Sequence, residues 1–262
     1  MAILNLTPDS FSDGGQHTHS NIVSTAQELI AAGADILDIG GCSTRPGAAQ
    51  ASPEEELARV IPTIKSLREA GIKTAISIDT YRSAVAKAAI SAGADLINDI
   101  SAGTLDRDML RTAANLAVPI CLMHMRGTPS SMSSLKSYPA GVIPGVISEL
   151  SDRVRAAEEA GVRRWNILLD PGLGFAKDSE QSLELLRGLA EVTGGIGLPW
   201  VVGPSRKGFV GKVTGVEIAK ERTWGTAGAV AACVAGGADV VRVHDVAEMK
   251  KVVDMAGAIW RQ

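Results

Sequence analysis

The feature that most constrains the fold of this chain is a regular alternation of short apolar runs with longer segments of helical periodicity. Eight apolar runs have the length and composition of buried β-strands, and a helical segment follows each of them. The strands are predicted at 2–5, 35–39, 73–78, 95–98, 118–123, 166–169, 199–202 and 239–243. The helices are predicted at 21–33, 53–69, 82–92, 106–116, 141–160, 179–193, 217–235 and 245–259. Strict alternation favours a parallel sheet, because helical crossovers join parallel neighbours.

A short repeat marks the points where predicted helices end and strands begin. The sequence Ala-Gly-Ala-Asp occurs at 32–35 and 92–95, and Gly-Gly-Ala-Asp occurs at 236–239. Glycine is favoured just after a helix, because it adopts the left-handed conformation there without steric cost. Helix starts are also recognisable, since Ser52 and Asp178 (or the serine that follows it) are suitable N-caps.

Eight strand–helix units in 262 residues favour closure into a (β/α)8 TIM barrel of the α/β class. An open, doubly wound sheet is the alternative. Aromatic residues make up only 3% of the chain, so the core must consist mostly of Val, Ile, Leu and Ala, as in barrel interiors. No linker interrupts the pattern, and a single domain over 1–262 is expected.

Composition excludes several classes of partner. The net charge of −3, without a basic run, argues against nucleic acid. The longest stretch of small apolar residues, 226–238, is too short and too rich in Gly and Ala to cross a membrane. Three widely spaced cysteines indicate reduced thiols and a cytoplasmic location, or an organellar one in a eukaryote. The first strand follows Met1 without a secretory signal, which suggests a segment of a longer polypeptide.

Polar or charged residues stand at the ends of the predicted strands. Ligands of α/β barrels bind at the carboxyl ends of strands, so these residues are expected to surround one pocket. They are Asn5, Asp79, Asn98, Asp170, Lys207, Arg242 and His244. The loops 6–20 and 40–52 are long for such units and are expected to be mobile covers of the pocket.

Arg242 and His244 are separated by one residue, so their side chains face the same side of the last strand. They suit an anion, because Arg offers a fork of donors to phosphate oxygens and His can donate or titrate. Pairing of Arg242 with a neighbouring aspartate is the alternative. Asn5 lies on the next strand around a closed barrel. Its carbonyl oxygen could bind Mg²⁺ carried by a phosphate, or it could stabilise a turn.

Asp79, Asn98 and Asp170 form a different group, suited to a flat heterocycle with adjacent N–H donors. Internal salt bridges are the alternative explanation for these carboxylates. Lys207 would bring a cation to a carbonyl or ring nitrogen of the same ligand, unless it is an ordinary surface lysine. His124 has no further ligands at metal spacing in the sequence, so it does not indicate a metal centre.

Several of these residues belong to longer motifs. The motifs read Ile-Leu-Asn-Leu-Thr-Pro-Asp-Ser-Phe-Ser-Asp-Gly-Gly at 3–15, Asp-Ile-Gly-Gly-Cys-Ser-Thr-Arg-Pro-Gly-Ala at 38–48, Ser-Ile-Asp-Thr at 77–80, Asn-Asp-Ile at 98–100, Asp-Pro-Gly-Leu-Gly-Phe at 170–175, Ser-Arg-Lys at 205–207 and Arg-Val-His-Asp at 242–245. Together they resemble the dihydropteroate synthase family, in order and over nearly the whole chain. The first two motifs are long enough to be highly specific.

The resemblance implies a pterin-binding barrel that joins para-aminobenzoate to 7,8-dihydropterin-6-ylmethyl diphosphate and releases pyrophosphate. This reaction belongs to folate biosynthesis. The family implies Mg²⁺ as cofactor, a homodimer and inhibition by sulfonamides. In fungi and some protists the activity is the last part of a multifunctional folate enzyme, so fusion to other folate domains is expected here. A pterin-dependent methyltransferase of the same barrel type and a non-catalytic pterin-binding paralogue are the alternatives.

The resemblance also implies roles for individual residues. The pterin would contact Asp79, Asn98, Asp170 and Lys207. The diphosphate would contact Asn5, Thr44, Arg45, Arg242 and His244, with Asn5 as the Mg²⁺ ligand. The para-aminobenzoate would contact Phe11, Thr44, Arg45, Pro46, Phe175, Lys207 and Gly208. Catalysis would depend on Asp79, Lys207, Arg242 and His244, and the mobile loops would contain Asp13 and Ser43.

Two positions depart from the family pattern. Cys42 stands where the family often has Glu, and Gly208 stands where many members have Ser, Thr or Arg. If a hydroxyl there helps to bind the aminobenzoate carboxylate, only the backbone N–H of Gly208 remains for this purpose.

Overall fold

The computed structural model of the protein describes residues 1–6, 19–42 and 51–261. In these ranges short parallel strands alternate with helices. The strands are β1 (Ala2–Asn5), β2 (Ile36–Gly40), β3 (Ala75–Asp79), β4 (Leu96–Asp99), β5 (Ile120–Met123), β6 (Ile167–Asp170), β7 (Val201–Val202) and β8 (Val240–Val241). The helices are α1 (His19–Ala31), α2 (Pro53–Glu69), α3 (Ser83–Ala92), α4 (Met109–Leu116), α5 (Val142–Glu159), α6 (Ser179–Arg187), α7 (Leu189–Gly194), α8 (Gly208–Thr214), α9 (Thr223–Ala235) and α10 (Val246–Trp260).

The strands form a closed barrel. The first six pair in sequence order as one parallel sheet, and β7 pairs with β8 in a second. Single bridges join the two sheets, from Leu169 to Trp200 and from Ala2 to Val243. Each strand therefore has a neighbour on both sides. This arrangement confirms the eight-stranded barrel and excludes the open sheet.

Side chains alternate between the barrel lumen and the surrounding helices. Outward side chains such as Ile39 and Ile78 are buried in the main core, against the helices. The lower lumen is filled by an apolar cluster that consists of Met1, Ile36, Leu96, Cys121, Leu168, Val201 and Val240. Two positions further along four of these strands the residues are polar: Asp38, Asn98, Asp170 and Arg242. A polar layer thus lies directly above the apolar cluster in the barrel lumen.

The predicted helix starts and stops are mostly confirmed. Ser52 and Asp178 both form capping boxes, with Glu55 and Gln181 respectively. Gly33 and Gly93 have φ of 102° and 116°, as expected for glycine that ends a helix. None of the described helices is long and apolar enough to cross a membrane.

Three helix predictions are wrong in detail. The predicted helix at 179–193 is two helices, interrupted at Gly188, where a Cβ atom would lie 2.3 Å from the side chain of Ile143. The helix predicted from 217 begins only at Thr223. Helix α8 lies in a segment for which no helix was predicted, and its two glycines and β-branched residues are weak helix formers. Burial of Phe209 and Val210 stabilises it instead.

Candidate active site

Asp38 is the centre of the polar layer in the lumen. Its Oδ2 atom accepts hydrogen bonds from Nε of Arg242 at 2.6 Å and from Nδ2 of Asn98 at 3.1 Å. Arg242 also donates from Nη2 to Oδ2 of Asp79 at 2.7 Å. The side chain of Asp38 is fully buried, whereas those of Arg242 and Asp79 are 21% and 13% exposed. This layer therefore reaches from the buried lumen to the barrel mouth.

Burial controls the protonation of these groups. It raises the pKa of Asp79 to about 7, although the positive charge of Arg242 opposes the shift. Burial alone would lower the pKa of Arg242, but the carboxylates of Asp38 and Asp79 outweigh it and raise the pKa further. A guanidinium has five N–H donors. Described residues accept hydrogen bonds from two of those of Arg242, so others remain for an anion.

Asn5 and Asp79 face each other across Gly40. A Cβ atom at Gly40 would lie 3.5 Å from Oδ1 of Asn5 and 3.5 Å from Oδ2 of Asp79, so glycine keeps this space open. In the described ranges no three His, Cys, Asp or Glu side chains form a group that could hold a metal ion. Oδ1 of Asn5 is an amide oxygen, a type of atom that can bind Mg²⁺.

Asp170 begins a tight turn at the end of β6. Its Oδ1 atom accepts a hydrogen bond from the backbone N–H of Gly172 at 2.7 Å. Gly172 has a φ of 65°, and a Cβ atom there would lie only 2.0 Å from the backbone oxygen of His124. Burial raises the pKa of Asp170, while Lys207 opposes the shift. The turn therefore presents a buried carboxylate close to a cation.

Lys207 and Phe175 lie on the same side of the mouth. Nζ of Lys207 is 5.1 Å from the ring centroid of Phe175 and donates to the backbone oxygen of Leu173. Burial lowers the pKa of Lys207 to about 8, although Asp170 opposes the shift. Lys207 is therefore not an ordinary surface lysine. The next residue, Gly208, begins α8, and a Cβ atom there would meet open space.

The loops after β7 and β8 are also joined. The Oγ atom of Ser205 is 2.9 Å from Nδ1 of His244. One residue further along each segment, Arg206 and Asp245 form a bidentate ion pair. His244 thus lies beside the Lys207 loop.

A second polar network supports the Asp170 turn from outside. The ammonium of Lys177 contacts Nδ1 of His124 at 2.8 Å and the backbone oxygens of Gly172 and Phe175 at 3.0 and 2.8 Å. On the other side of the ring, Nε2 of His124 is 3.1 Å from Oε2 of Glu149. Burial lowers the pKa of His124 to about 4, so its ring is neutral at pH 7.

The predicted site residues separate into two groups. Those in the described ranges converge on the barrel mouth: Asn5, Asp79, Asn98, Asp170, Phe175, Lys207, Gly208, Arg242 and His244. Six others lie outside the described residues: Phe11, Asp13, Ser43, Thr44, Arg45 and Pro46. The alternative prediction for Arg242, pairing with a neighbouring aspartate, is also confirmed, because Arg242 forms ion pairs with Asp38 and Asp79. It does not exclude an anion site, because donors remain.

Sequence reasoning missed Asp38 as a site residue, although it lies in one of the motifs. The site residues predicted from strand patterns stand at strand ends, whereas Asp38 lies in the middle of β2. One signal could have found it: a carboxylate inside an apolar strand is costly unless it is paired. Lys177 and Glu149 were missed for another reason, since nothing local distinguishes them from surface residues. Ser205 was recognised as part of the Ser-Arg-Lys motif, but no role was predicted for it.

Comparison with known proteins agrees with this site. Residues 1–244 match the family model described as pterin binding enzyme. The chain is 51% identical over 265 residues to the folic acid synthesis protein fol1 of Pneumocystis carinii, covering 100% of this chain and 36% of that protein. It is 48% identical over 263 residues to the dihydropteroate synthase of Synechocystis sp., covering 100% of this chain and 90% of that protein. The chain thus spans about a third of the fungal relative.

Solved structures give the same result. The dihydropteroate synthase of Xanthomonas albilineans with 4-aminobenzoic acid has a TM-score of 0.91 and 40% identity, covering 100% of this chain and 92% of that chain. The same enzyme in complex with 7,8-dihydropteroate has a TM-score of 0.88 and 37% identity, covering 100% and 93%. With its barrel, its site and these relatives, the chain belongs to the pterin-binding enzyme family, among the dihydropteroate synthases.

Proposed function

We propose that this chain condenses para-aminobenzoate with 7,8-dihydropterin-6-ylmethyl diphosphate to give 7,8-dihydropteroate and pyrophosphate. The observation that carries the proposal is the convergence of acids and cations at one barrel mouth. Asp79, Asn98 and Asp170 offer acceptors for a pterin, and Arg242 offers donors for a diphosphate. The ligands named for the Xanthomonas enzyme, 4-aminobenzoic acid and 7,8-dihydropteroate, support the same reaction.

The arrangement of charges suggests how the reaction proceeds. The bond between the pterin methylene carbon and the diphosphate oxygen breaks, and its electron pair leaves with the diphosphate. Arg242 stabilises the negative charge that develops on the leaving group. The cation that remains on the pterin is stabilised by the Asp79 carboxylate, which favours this state over the neutral substrate. The arylamine nitrogen then attacks the methylene carbon and loses a proton, and no protein nucleophile is needed.

The proposed role of Asp79 makes the reaction sensitive to acid. Burial raises the pKa of Asp79 to about 7, so the stabilising anion is lost as the pH falls through this value. Turnover should therefore decrease below about pH 7. A flat profile between pH 8 and pH 6 would contradict the assignment of Asp79.

Mg²⁺ is the proposed cofactor, and Asn5 would hold it. Oδ1 of Asn5 and Oδ2 of Asp79 are each 3.5 Å from the position of a Cβ atom at Gly40, and this pair of nearby oxygens supports the assignment. When bound, the ion would neutralise part of the charge of the diphosphate. Calorimetry can test it: Asn5→Ala should weaken Mg²⁺-dependent binding of the pterin diphosphate but leave binding of a pterin without phosphates unchanged. Equal losses for both ligands would refute the assignment.

Pyrophosphate release with and without para-aminobenzoate tests the reaction itself. Arg242→Ala should reduce turnover by on the order of 2–3 kcal/mol of transition-state stabilisation. Asp170→Ala should abolish pterin binding with little loss of fold. Arg155→Ala is a matched control, because Arg155 is 71% exposed and, within the part of the chain that the structure describes, pairs only with Asp152 on its own helix. Pterin binding without turnover by the unaltered protein would point to the non-catalytic alternative.

We further propose a homodimer that covers the face formed by α6, α8 and α9. This face contains a cavity of about 410 Å³ lined mostly by apolar residues, among them Leu186, Phe209 and Val213. Next to it Trp224 is 88% exposed and Ile218 is 58% exposed. Exposed apolar patches of this kind commonly mark protein interfaces. A second copy of the chain is the proposed occupant.

The mass of the particle in solution tests the dimer. Val213→Glu should give monomers in sedimentation experiments, because the charge would be buried in the contact. Trp165→Glu is a control, since this exposed tryptophan lies before β6 and does not line the cavity. A monomeric unaltered protein, or a variant Val213→Glu that remains dimeric, would contradict the proposal.

The chain in its full context is proposed to work beside other enzymes of folate synthesis in the cytoplasm. The length of the fungal relative, of which this chain covers 36%, supports fusion to further domains. An immunoblot of native extracts and organelle fractions would test both points. A polypeptide of the size of this chain alone would exclude the fusion.

A further inference from the structure

The turn that follows β6 carries expected contacts for both proposed substrates. Asp170, the last residue of the strand, is an expected pterin contact, and Phe175 is an expected aminobenzoate contact. Every second residue of the turn has a left-handed backbone, since Gly172, Gly174 and Ala176 have φ of 65°, 78° and 48°. Alanine rarely adopts this conformation, so the turn needs contacts that hold it.

Lys177 provides such contacts, because its side chain folds back onto the turn. The residue is only 3% exposed. Its Nζ atom donates to the backbone oxygen of Gly172 at 3.0 Å and to that of Phe175 at 2.8 Å. The same atom lies 2.8 Å from Nδ1 of His124, which follows β5, and 3.5 Å from the backbone oxygen of that histidine. One amino group therefore joins two points of the turn to the neighbouring loop.

The partners of Lys177 match a charged ammonium group. The carboxylate of Glu149 can only accept from Nε2 of His124, so the neutral ring has its proton on Nε2, and Nδ1 accepts from Lys177. Three acceptors thus lie within 3.0 Å of Nζ, and an ammonium has three N–H groups where a neutral amine has two. Burial lowers the pKa of Lys177, and the negative charge of Asp170 opposes this shift.

The same turn also contacts Lys207. Nζ of Lys207 donates to the backbone oxygen of Leu173 and lies 5.1 Å from the ring centroid of Phe175. Two lysines therefore hold the turn, and only Lys207 is an expected substrate contact. An apolar side chain of similar volume could fill the place of Lys177 without the cost of burying a charge. The hydrogen bonds to the turn give a reason for a lysine at this position.

We propose that Lys177 is a positioning residue that fixes the turn after β6 and thereby sets the affinities for the pterin and for para-aminobenzoate together. The inference rests on the proposed function, because it takes Asp170 and Phe175 as contacts of the two substrates. Lys177 acts through the backbone, since its three N–H groups all have acceptors within the protein. Without it, two carbonyl groups of the turn lose their shared donor, and both substrate contacts are displaced.

Steady-state kinetics of Lys177→Met test the proposal, because methionine is unbranched and apolar and has no N–H donor. KM for the pterin diphosphate and KM for para-aminobenzoate should both rise about tenfold to a hundredfold, since misplacement by about 1 Å can cost this much. Lys177→Arg keeps the charge and several donors, so it should recover most of both affinities. A variant Lys177→Arg as impaired as Lys177→Met would overturn the proposal.

A purely structural role of Lys177 predicts a different result. It would lower the amount of folded enzyme, so kcat would fall while both KM values stayed unchanged, and this outcome would overturn the proposal. Thermal unfolding shows whether each variant is folded at the assay temperature. If Lys177→Met is not, Lys177→Gln takes its place. It should show a smaller joint rise, because two N–H groups cannot serve three acceptors.

Two variants on α2 serve as matched controls. Lys65→Met makes the same substitution at an exposed position and should leave both KM values unchanged. Ile64→Val leaves a small cavity in the main core, so it should lower the melting temperature without changing either KM. A joint rise of both KM values in Ile64→Val would show that lost stability alone produces the effect, and the proposal would fail.

Calorimetry with a dihydropterin separates this inference from the proposed function, because binding requires no turnover. Lys177→Met should weaken pterin binding by about the same factor as it raises the corresponding KM. If the unaltered protein binds pterin without turnover and Lys177→Met binds it more weakly, the role of Lys177 stands and the proposed function fails. Equal pterin affinities of the two proteins would overturn the role of Lys177, whatever the turnover.

Discussion

At the scale of single residues, the site depends on one buried carboxylate. Asp38 accepts hydrogen bonds from both Asn98 and Arg242, so it orients an expected pterin contact and an expected diphosphate contact together. It fixes the amide of Asn98 because only the NH₂ group can face a carboxylate. Its own Oδ1 atom has no hydrogen-bond partner among the described residues. The value of the buried Asp38 side chain therefore lies in the two side chains that it orients, Asn98 and Arg242.

Asp38→Asn should damage both stability and activity. The substitution keeps the shape of the side chain but removes its charge, so Arg242 retains only Asp79 as an ionic partner. We expect the free energy of unfolding to fall by about 1.5–3 kcal/mol, the usual value of a hydrogen bond to a charged group. Denaturant titration measures this loss, and binding of a dihydropterin should weaken in parallel.

Asp35→Asn is the matched control for this prediction. Asp35 precedes the same strand but is exposed, so its variant should change stability by less than about 0.5 kcal/mol. Equal effects of the two substitutions would show that Asp38 has no special role.

At the scale of elements, the turn after β6 is the most constrained part of the site. Gly172 combines a φ of 65° with a backbone oxygen 2.0 Å from the position of a Cβ atom. The turn cannot move away freely, because Lys177 binds two of its carbonyl groups. Any side chain at Gly172 must therefore shift Asp170, which begins the same turn.

Gly172→Ala should weaken pterin binding strongly and destabilise the protein by more than about 1–3 kcal/mol, the cost of backbone strain alone. Gly257→Ala, within α10, should instead stabilise it by about 0.5–1 kcal/mol, because a Cβ atom there meets nothing within 4 Å and alanine favours the helix. Thermal unfolding and pterin calorimetry of both variants test this contrast. Normal pterin affinity in Gly172→Ala would contradict the account of the turn.

The start of α2 provides a second test at this scale. Oγ of Ser52 accepts the N–H of Glu55 at 3.1 Å, and the Glu55 side chain accepts the N–H of Ser52 at 2.8 Å. Ser52→Ala should cost about 1 kcal/mol of stability, because one helix N–H loses its partner. Ser52→Asp should restore most of it, and equal losses in both variants would exclude a capping role.

At the scale of the whole molecule, one partly buried network links the loops after β5 and β6 to α5. It contains His124, Lys177 and Glu149, and Arg126 binds the same glutamate. Burial lowers the pKa of His124 to about 4. Burial alone would raise the pKa of Glu149, but hydrogen bonds from His124 and Arg126 lower it to about 2. In the native state, His124 and Glu149 thus bind protons less readily than they do in the unfolded chain.

This network predicts a loss of stability in mild acid. Above about pH 6.5, the ordinary pKa of histidine, His124 is neutral in both the folded and the unfolded state. Its protonation therefore does not affect the free energy of unfolding in this range. As the pH falls toward 4, the unfolded chain binds a proton that the native ring excludes, so roughly 3 kcal/mol of stability is lost. Denaturant titrations between pH 7 and pH 4 measure the slope. The variant His124→Asn, whose side chain can still accept a hydrogen bond from Lys177, should show a smaller dependence of stability on pH. An identical dependence would show that His124 does not cause the loss of stability in acid.

The amino-acid sequence determined the architecture and most members of the candidate site. Strand and helix periods are local consequences of burial on one or both faces, so eight alternating units predicted the barrel. The polar residues at the carboxyl ends of β3, β4 and β6 could be found because a polar or charged group at the end of an apolar run is costly without a partner. The resemblance of the motifs then gave these residues their expected roles.

The tertiary structure alone decided how those residues are held. Asp38 and Arg242 are 204 positions apart in the chain and meet only because the barrel closes. Pairing of neighbouring strands brings Ser205 to His244 and Lys177 to His124, and burial at the barrel mouth lowers the pKa of the motif lysine, Lys207, to about 8. Local patterns encode which side chains are buried. They do not encode which distant partner meets each of them in the lumen, and these partners contribute to the pKa shifts of Asp79, Lys207 and Arg242.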